Sequence, residues 1–117
     1  MTTHVFREPQ EWTFEKLGHR GKVFDSSGLL RSGNHLIVEI DGPLAGWLCQ
    51  QECDFVYYVL AGHGWFHIDD RQQRCQQGNL VIVPKGSTFT YEGAGLRMLL
   101  TSTPPWRPEQ EQVSTEE

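Results

Sequence analysis

The residue types that most often carry out chemistry in proteins are sparse in this chain and are not spaced for a familiar reaction. The three cysteines are Cys49, Cys53 and Cys75. Cys49 and Cys53 stand four residues apart, but a thiolate zinc site would need a second pair of ligands, which Cys75 alone does not supply. An odd number of cysteines also argues for reduced thiols and against a disulfide framework. We therefore expect the cysteines to act as small apolar side chains.

The histidines show no pattern that identifies a catalytic site. They are His4, His19, His35, His63 and His67. His19 lies between Gly18 and Gly21 and is interpreted as a loop residue. The chain has no serine, histidine and aspartate order typical of a triad, no phosphate-binding loop and no carboxylate pair at catalytic spacing. Spacing alone thus assigns none of the histidines a role.

Composition and charge exclude several classes of function. The 117 residues correspond to one domain and carry a formal net charge of −5. Nucleic-acid binding depends on clustered Lys and Arg, and no such cluster occurs. No apolar stretch approaches the roughly 20 residues that span a bilayer, and the N-terminus lacks the features of a signal peptide. We therefore expect no nucleic-acid partner, no membrane contact and a cytoplasmic location.

Short apolar segments separated by glycine-rich turns predict an all-β protein. In residues 36–40, Leu36, Val38 and Ile40 fall on one face of a strand and Ile37 and Glu39 on the other, and residues 55–60 are aromatic and β-branched. Further strands are predicted at residues 21–24, 45–49, 65–68, 80–83, 88–91 and 96–101. Gly62-His63-Gly64 is predicted to be a tight connection between two strands. This spacing is typical of a β-sandwich or barrel.

The two ends of the chain differ from its centre. Residues 9–17 fit either a helical turn or an edge strand, and we treat residues 1–20 as an N-terminal arm of a single domain that ends at residue 107. Residues 108–117 are rich in Pro, Gln and Glu, so we expect a disordered acidic tail. Trp106 is predicted to be the last packed residue.

The glycine and proline spacing of the centre resembles the cupin family. Gly42 and Gly62 match the two ends of the first cupin motif, and Gly78, Pro84 and Gly86 match the second. The resemblance covers about half of the chain directly. It implies a small cupin, in which the strands form a double-stranded β-helix, or jelly-roll, barrel.

The resemblance also implies metal ligands, but this chain lacks them. The positions of the family's histidines and glutamate are occupied by Leu48, Gln50, Phe55 and Phe89. A gap one residue shorter in the first motif would place Cys49 and Gln51 at the two histidine positions. Leucine and phenylalanine offer no lone pair, and an amide is a poor sole ligand. We therefore expect no metal at the usual position and no cofactor.

Period-two alternation extends the set of inward side chains. If Phe55 points inward as the motif implies, Tyr57 does too, and Tyr91 follows Phe89 in the same way. The predicted lining of the barrel is Leu48, Gln50, Phe55, Tyr57, Phe89 and Tyr91. Two phenols and an amide in an apolar cup are typical of a small-molecule site. The same aromatic residues could instead plug the barrel as its core.

Four functions agree with this lining. The first is a metal-independent barrel that binds a small molecule in its aromatic cup. The second is a metal-free isomerase, epimerase or cyclase that uses Tyr57 or Tyr91 as an acid–base group. The third is a structural or interaction role with a plugged barrel. The fourth is a metal dioxygenase with an unusual site built from Cys49, Gln51, Glu52 or Cys53.

The resemblance further implies a homodimer. Small cupins commonly pair through the edge of a sheet, and an uncovered edge presents unpaired backbone groups. Trp47, Trp65 or the Val5-Phe6 segment could cover that edge.

Overall fold

The computed structural model describes residues 3–114. In this range nine strands form one antiparallel sheet, and β8 pairs with β3, β4 and β5. The strands are β1 (Phe14–Lys16), β2 (His19–Val23), β3 (Asn34–Pro43), β4 (Trp47–Gln50), β5 (Asp54–Ile68), β6 (Arg71–Gln76), β7 (Leu80–Val83), β8 (Thr88–Thr103) and β9 (Glu111–Ser114). A 3-10 helix, Pro108–Gln110, precedes β9, and none of the described helices is long and apolar enough to cross a bilayer. The all-β prediction is confirmed.

The sheet curls around one apolar core. Its inner face carries buried residues from β3, β4, β5, β7 and β8, and the buried Trp106 joins them. On β3 the residues of the core, Leu36, Val38 and Ile40, recur at every second position, whereas Ile37 on the other face is buried outside that core. The predicted alternation in residues 36–40 therefore sets which face of the sheet encloses the core.

The two longest strands, β5 and β8, each join segments that the sequence predicts as separate strands. Gly62 lies inside β5 with φ +79°, at the second of two shifts in the β5–β8 register. A Cβ added to Gly62 would lie 2.2 Å from the backbone oxygen of Gly95. The prediction of a tight connection at Gly62-His63-Gly64 is therefore wrong, because bulges bend one continuous strand at this point.

The N-terminal arm contributes an edge strand, β1. Of the two predictions for residues 9–17, the edge strand is therefore correct and the helical turn is wrong. In the β1–β2 pair, Phe14 stands opposite Gly21. The Phe14 ring covers Gly21 closely, since a Cβ on Gly21 would approach that ring to 2.4 Å. A glycine at this position lets the aromatic ring of the edge strand pack onto β2.

The tail differs from the prediction of disorder over residues 108–114. Strand β9 pairs with β4, with Gln50 opposite Glu111 and Trp47 opposite Ser114. Lys16 donates a hydrogen bond to Oε1 of Glu111 over 2.8 Å. The composition of the tail is polar, but tertiary pairing with β4 overrides it, as often happens for weak β-formers. Residues 115–117 lie outside the described range.

Candidate functional site

The six side chains predicted to line the barrel all lie inside it. Each is at most 3% exposed: Leu48, Gln50, Phe55, Tyr57, Phe89 and Tyr91. Alternation along β4, β5 and β8 produces this arrangement, since inward side chains recur every second residue. Their role as ligand contacts stays a prediction.

Apolar side chains fill one part of the barrel interior. Leu48 and Phe89 stand opposite each other in the β4–β8 register. The Phe89 and Phe55 rings meet edge-on with centroids 6.2 Å apart, a favourable aromatic geometry. We call Leu48, Phe55 and Phe89 the apolar cluster. The side chains in these three motif positions pack as core.

Tyr57 and Tyr91 lead from the apolar cluster into a different environment. The Tyr57 centroid lies 6.1 Å from that of Phe55 and 6.2 Å from that of Tyr91. The Tyr91 ring stacks on Phe66 with centroids 5.0 Å apart. The hydroxyl group of Tyr91 points to a part of the barrel interior that carries polar side chains, the first of which is His19.

His19 is a buried polar side chain of the barrel interior that the sequence pattern does not identify. It is buried on β2, and its Nδ1 lies 2.5 Å from the hydroxyl oxygen of Tyr91. The interpretation of His19 as a loop residue is therefore wrong. Extending the predicted strand at residues 21–24 by two residues would have placed His19 on the same face as Gly21 and opposite Arg20.

Burial keeps these groups uncharged near neutral pH. Removal from water lowers the pKa of His19 to about 4, the Glu111 carboxylate opposes this shift, and Lys16 adds to it. Burial likewise raises the pKa of Tyr57 and of Tyr91 well above the usual range, and the charge of Glu111 adds to both shifts. At neutral pH, His19 is thus a neutral imidazole beside two neutral phenols.

Glu111 brings a carboxylate from the tail to this end of the barrel. Its side chain is 6% exposed, and it accepts hydrogen bonds from Lys16 Nζ at 2.8 Å and Trp106 Nε1 at 3.2 Å. It stands opposite Gln50 in the β4–β9 register. We call His19, Gln50, Tyr91 and Glu111 the polar cluster. Glu111 belongs to the segment that is predicted to be a disordered tail. The only signal for its burial in the sequence is that it follows Trp106, the last residue predicted to be packed, by five positions.

Two atoms of the polar cluster are buried without a partner among the described residues. They are Nε2 of His19 and Nε2 of Gln50. The amide oxygen of Gln50 accepts the backbone N–H of Glu52 over 3.0 Å, which directs its NH₂ group away from that strand end. Buried polar atoms nearly always have a hydrogen-bond partner, so each of these two atoms can take a hydrogen bond from a ligand group or a water molecule.

A metal ion does not fit the positions where the cupin motifs place its ligands. Leu48, Phe55 and Phe89 have no donor atom, and the amide oxygen of Gln50 already accepts a hydrogen bond. Within residues 3–114, no three His, Cys, Asp or Glu side chains are grouped so that they could hold a metal ion. The residues at these positions therefore do not form a ligand set for a metal ion.

The alternative ligand set in the β4–β5 connection does not converge either. Cys53 is buried, whereas Glu52 is exposed. Cys49 Sγ accepts a hydrogen bond from Gln51 Nε2 over 3.1 Å.

A groove of about 610 Å³ is lined by the buried residues His19, Ile40 and Leu96 and also by charged side chains, several of which form ion pairs. Arg97 contacts both Glu8 and Glu39, and Arg20 pairs with Glu39 at 2.9 Å. Arg97 therefore lies outside the barrel and does not contribute a cation to the interior. The groove reaches His19 of the polar cluster, whose Nε2 has no partner among the described residues.

Comparison with known sequences gives a match to one family model. Residues 55–100 match the AraC-like ligand binding domain. None of the curated protein sequences matches the chain.

Several solved structures resemble this chain over most of its length. Pac13, described as a nucleoside dehydratase, is 21% identical, with a TM-score of 0.83 over 96% of this chain and 91% of that chain. A Streptomyces Pac13 variant with a His-to-Gln substitution, solved with uridine, is also 21% identical, with a TM-score of 0.84 over 96% of this chain and 91% of the other. KdgF from Halomonas sp. is 17% identical, with a TM-score of 0.75 over 92% and 98% of the two chains.

One further neighbour is itself described as a cupin. The cupin domain of Schizosaccharomyces pombe Cnp3 is 13% identical, with a TM-score of 0.66 over 80% of this chain and 68% of that chain. The chain is therefore a small protein of the cupin fold, with side chains at the metal-ligand positions that do not suit a metal.

Proposed function

We propose that this barrel binds a small, neutral, hydroxylated ring compound of the nucleoside or sugar type, without a metal. The ligand lies at the polar cluster, in contact with Tyr57, Tyr91 and Gln50. The observation that carries this proposal is the pair of buried, unpartnered nitrogen atoms, Nε2 of His19 and Nε2 of Gln50. Leaving such an atom unsatisfied costs about 1–3 kcal/mol, so a ligand that pairs with both recovers this free energy on binding.

The charge state of the polar cluster supports a neutral ligand. The pKa of His19 is lowered and the pKa of each tyrosine is raised, so the three groups that face the ligand are uncharged at neutral pH. The charge of Glu111 is balanced by Lys16. Neutral donors and acceptors beside stacked aromatic rings suit an uncharged ring that carries hydroxyl groups.

The structural neighbours support the same ligand class. Pac13 is described as a nucleoside dehydratase, and Pac13 variants with His-to-Gln or Tyr-to-Phe substitutions have been solved with uridine. Those residue types are also the ones found here in His19, Tyr57 and Tyr91. Uridine is therefore the first compound to test.

Calorimetry and thermal unfolding with uridine and with neutral sugars test the proposal. A ligand at 100 times its Kd stabilises the native state by about 2.7 kcal/mol, so the melting temperature rises with ligand concentration. Gln50→Ala is expected to reduce the rise, whereas Gln72→Ala, at an exposed position on β6, leaves it unchanged. If none of these compounds binds the wild-type protein, the plugged barrel with a structural role is the better description.

The His19–Tyr91 contact favours a second candidate, a metal-free isomerase, epimerase or cyclase. Tyr91 can exchange a proton with a bound substrate while Nδ1 of His19, 2.5 Å from the hydroxyl, accepts or returns it. Tyr57, with its centroid 6.2 Å from that of Tyr91, is the other acid–base candidate.

Tyr91→Phe separates this enzyme from the binding protein once a ligand is known. Turnover of that ligand is expected to fall by about 10²–10⁴-fold while its Kd changes by less than about 10-fold. Conversion that persists unchanged in Tyr91→Phe and Tyr57→Phe would remove both tyrosines from the mechanism.

We further propose a homodimer that forms through the edge of β7. Among the described residues β7 pairs only with β5, and its Leu80 and Ile82 side chains are 59% and 56% exposed. An uncovered apolar edge favours pairing with another chain. Light scattering after size-exclusion chromatography should give twice the 13.4 kDa mass of one chain, and Ile82→Lys should halve it, whereas Gln72→Lys, at an exposed position of β6, should not.

A further inference from the structure

We infer that Gln50 and Glu111 together recognise a hydroxyl group of the ligand, so that the C-terminal strand β9 is a wall of the binding site. This inference rests on the proposed function and deepens it. It assigns a specificity role to a segment with a composition typical of a disordered tail.

The strand register brings the two side chains onto the same inner surface. Gln50 on β4 stands opposite Glu111 on β9. The Gln50 residue is 3% exposed, and the Glu111 side chain is 6% exposed. Directly opposite residues in an antiparallel pair have Cβ atoms about 5 Å apart, so one small group can contact both side chains.

Glu111 is held in place and retains acceptor capacity. Its Oε1 accepts a hydrogen bond from Lys16 at 2.8 Å, and its Oε2 accepts one from Trp106 Nε1 at 3.2 Å. An ionised carboxylate has about four acceptor sites, so the two bonds leave capacity for a ligand O–H.

Gln50 supplies the complementary donor. Its Oε1 is fixed by the backbone N–H of Glu52, and its buried Nε2 donates to no described group. A donor beside an acceptor matches a hydroxyl group, which accepts one hydrogen bond and donates another.

The surrounding charges favour a hydroxyl over an ammonium group. Lys16 already neutralises Glu111, so a ligand amine placed there would be repelled by a like charge at close range. The recognised class is thus a neutral alcohol or diol, as in a ribose or another sugar ring.

Calorimetry with two nucleoside probes tests the inference. Uridine carries the 2′- and 3′-hydroxyls on its ribose ring, and 2′,3′-dideoxyuridine lacks these two groups but keeps the 5′-hydroxyl. The wild-type protein should bind uridine at least about 10-fold more tightly than dideoxyuridine, because a hydrogen bond to a charged group is lost in the second complex.

Glu111→Leu and Gln50→Leu should each reduce this ratio to less than about 3-fold, with far-ultraviolet circular dichroism to check the fold. Glu109→Leu is the matched control, since the Glu109 side chain is 66% exposed in the same tail, and it should keep the wild-type ratio. A merely structural role for β9 would weaken both probes equally and leave the ratio unchanged.

Each remaining outcome counts against a defined proposal. If wild-type protein binds both nucleosides equally, or if Glu111→Leu and Gln50→Leu retain the discrimination, the hydroxyl assignment is wrong while the binding function stands. If wild-type protein binds neither probe, the ligand class fails and the hydroxyl assignment fails with it.

Discussion

The apolar and polar clusters share one barrel, yet they come from different parts of the chain. The apolar cluster occupies positions at which the cupin motifs place metal ligands, and its side chains pack as core. Half of the polar cluster comes from β2 and β9, which lie outside those motifs. In this cupin fold, the polar interior is thus built partly from strands other than those of the usual metal site.

The two clusters should also contribute to stability with opposite sign. Phe55 and Phe89 remove large apolar surfaces from water, which stabilises the native state. His19 and Gln50 each bury a nitrogen atom that has no partner within residues 3–114, which destabilises the native state. Groups that a protein keeps despite such a cost are candidates for function, and the following three predictions test this contrast.

The largest effect is expected in the apolar cluster. Phe89→Ala should lower the free energy of unfolding by about 3–5 kcal/mol, because it leaves a cavity at a fully buried position. Urea denaturation measures this change, and Tyr58→Ala, at a position that is 44% exposed, is the control that should lose much less. Equal losses in the two variants would show that the rings around Phe89 are not tightly packed.

The next effect is a pH dependence from His19 in the polar cluster. In the unfolded chain His19 binds a proton below its ordinary pKa of 6.5, whereas in the folded protein it does so only below about 4. Because the unfolded state binds more protons in this window, stability is lost as the pH falls from 6.5 towards 4.

Between pH 7 and pH 5, this linkage should reduce the free energy of unfolding by about 2 kcal/mol. His19→Gln should remove that part of the pH dependence, and His63→Gln, at an exposed position, should keep it. Urea denaturation at the two pH values decides the matter, and an unchanged slope in His19→Gln would mean that another group is responsible.

The smallest effect is expected at Gln50. Gln50→Leu removes a buried NH₂ group that has no partner among the described residues, but it also removes the hydrogen bond that the amide oxygen accepts from Glu52, so stability without ligand should change by no more than about 1 kcal/mol. Thermal and urea unfolding without ligand measure it. A loss of more than about 1 kcal/mol would mean that Gln50 holds the fold together, and it would weaken the argument for a ligand site.

Much of the fold and part of the site could be predicted from sequence patterns. The spacing of Gly78, Pro84 and Gly86 indicated the cupin barrel, and alternation from Phe55 and Phe89 placed Tyr57 and Tyr91 inside it. These inferences succeed because the direction of a side chain in a strand depends only on its position relative to its neighbours.

The remainder of the site depends on contacts between distant segments. His19 and Tyr91 are 72 residues apart, and Lys16 and Glu111 are 95 residues apart. His19 is flanked by glycines and Glu111 lies in a polar tail, so neither has a local hydrophobic pattern that indicates burial. Their positions follow from strand pairing, in which β1 joins β2 and β9 joins β4.

The order of residues was enough to specify a β-barrel with an aromatic lining and without the family's metal ligands, because period-two alternation and turn glycines are local properties of the chain. The pairing of β9 with β4 and the meeting of His19 with Tyr91 required the folded structure. Strand register is set by the packing of the whole sheet, and no short stretch of residues contains that information.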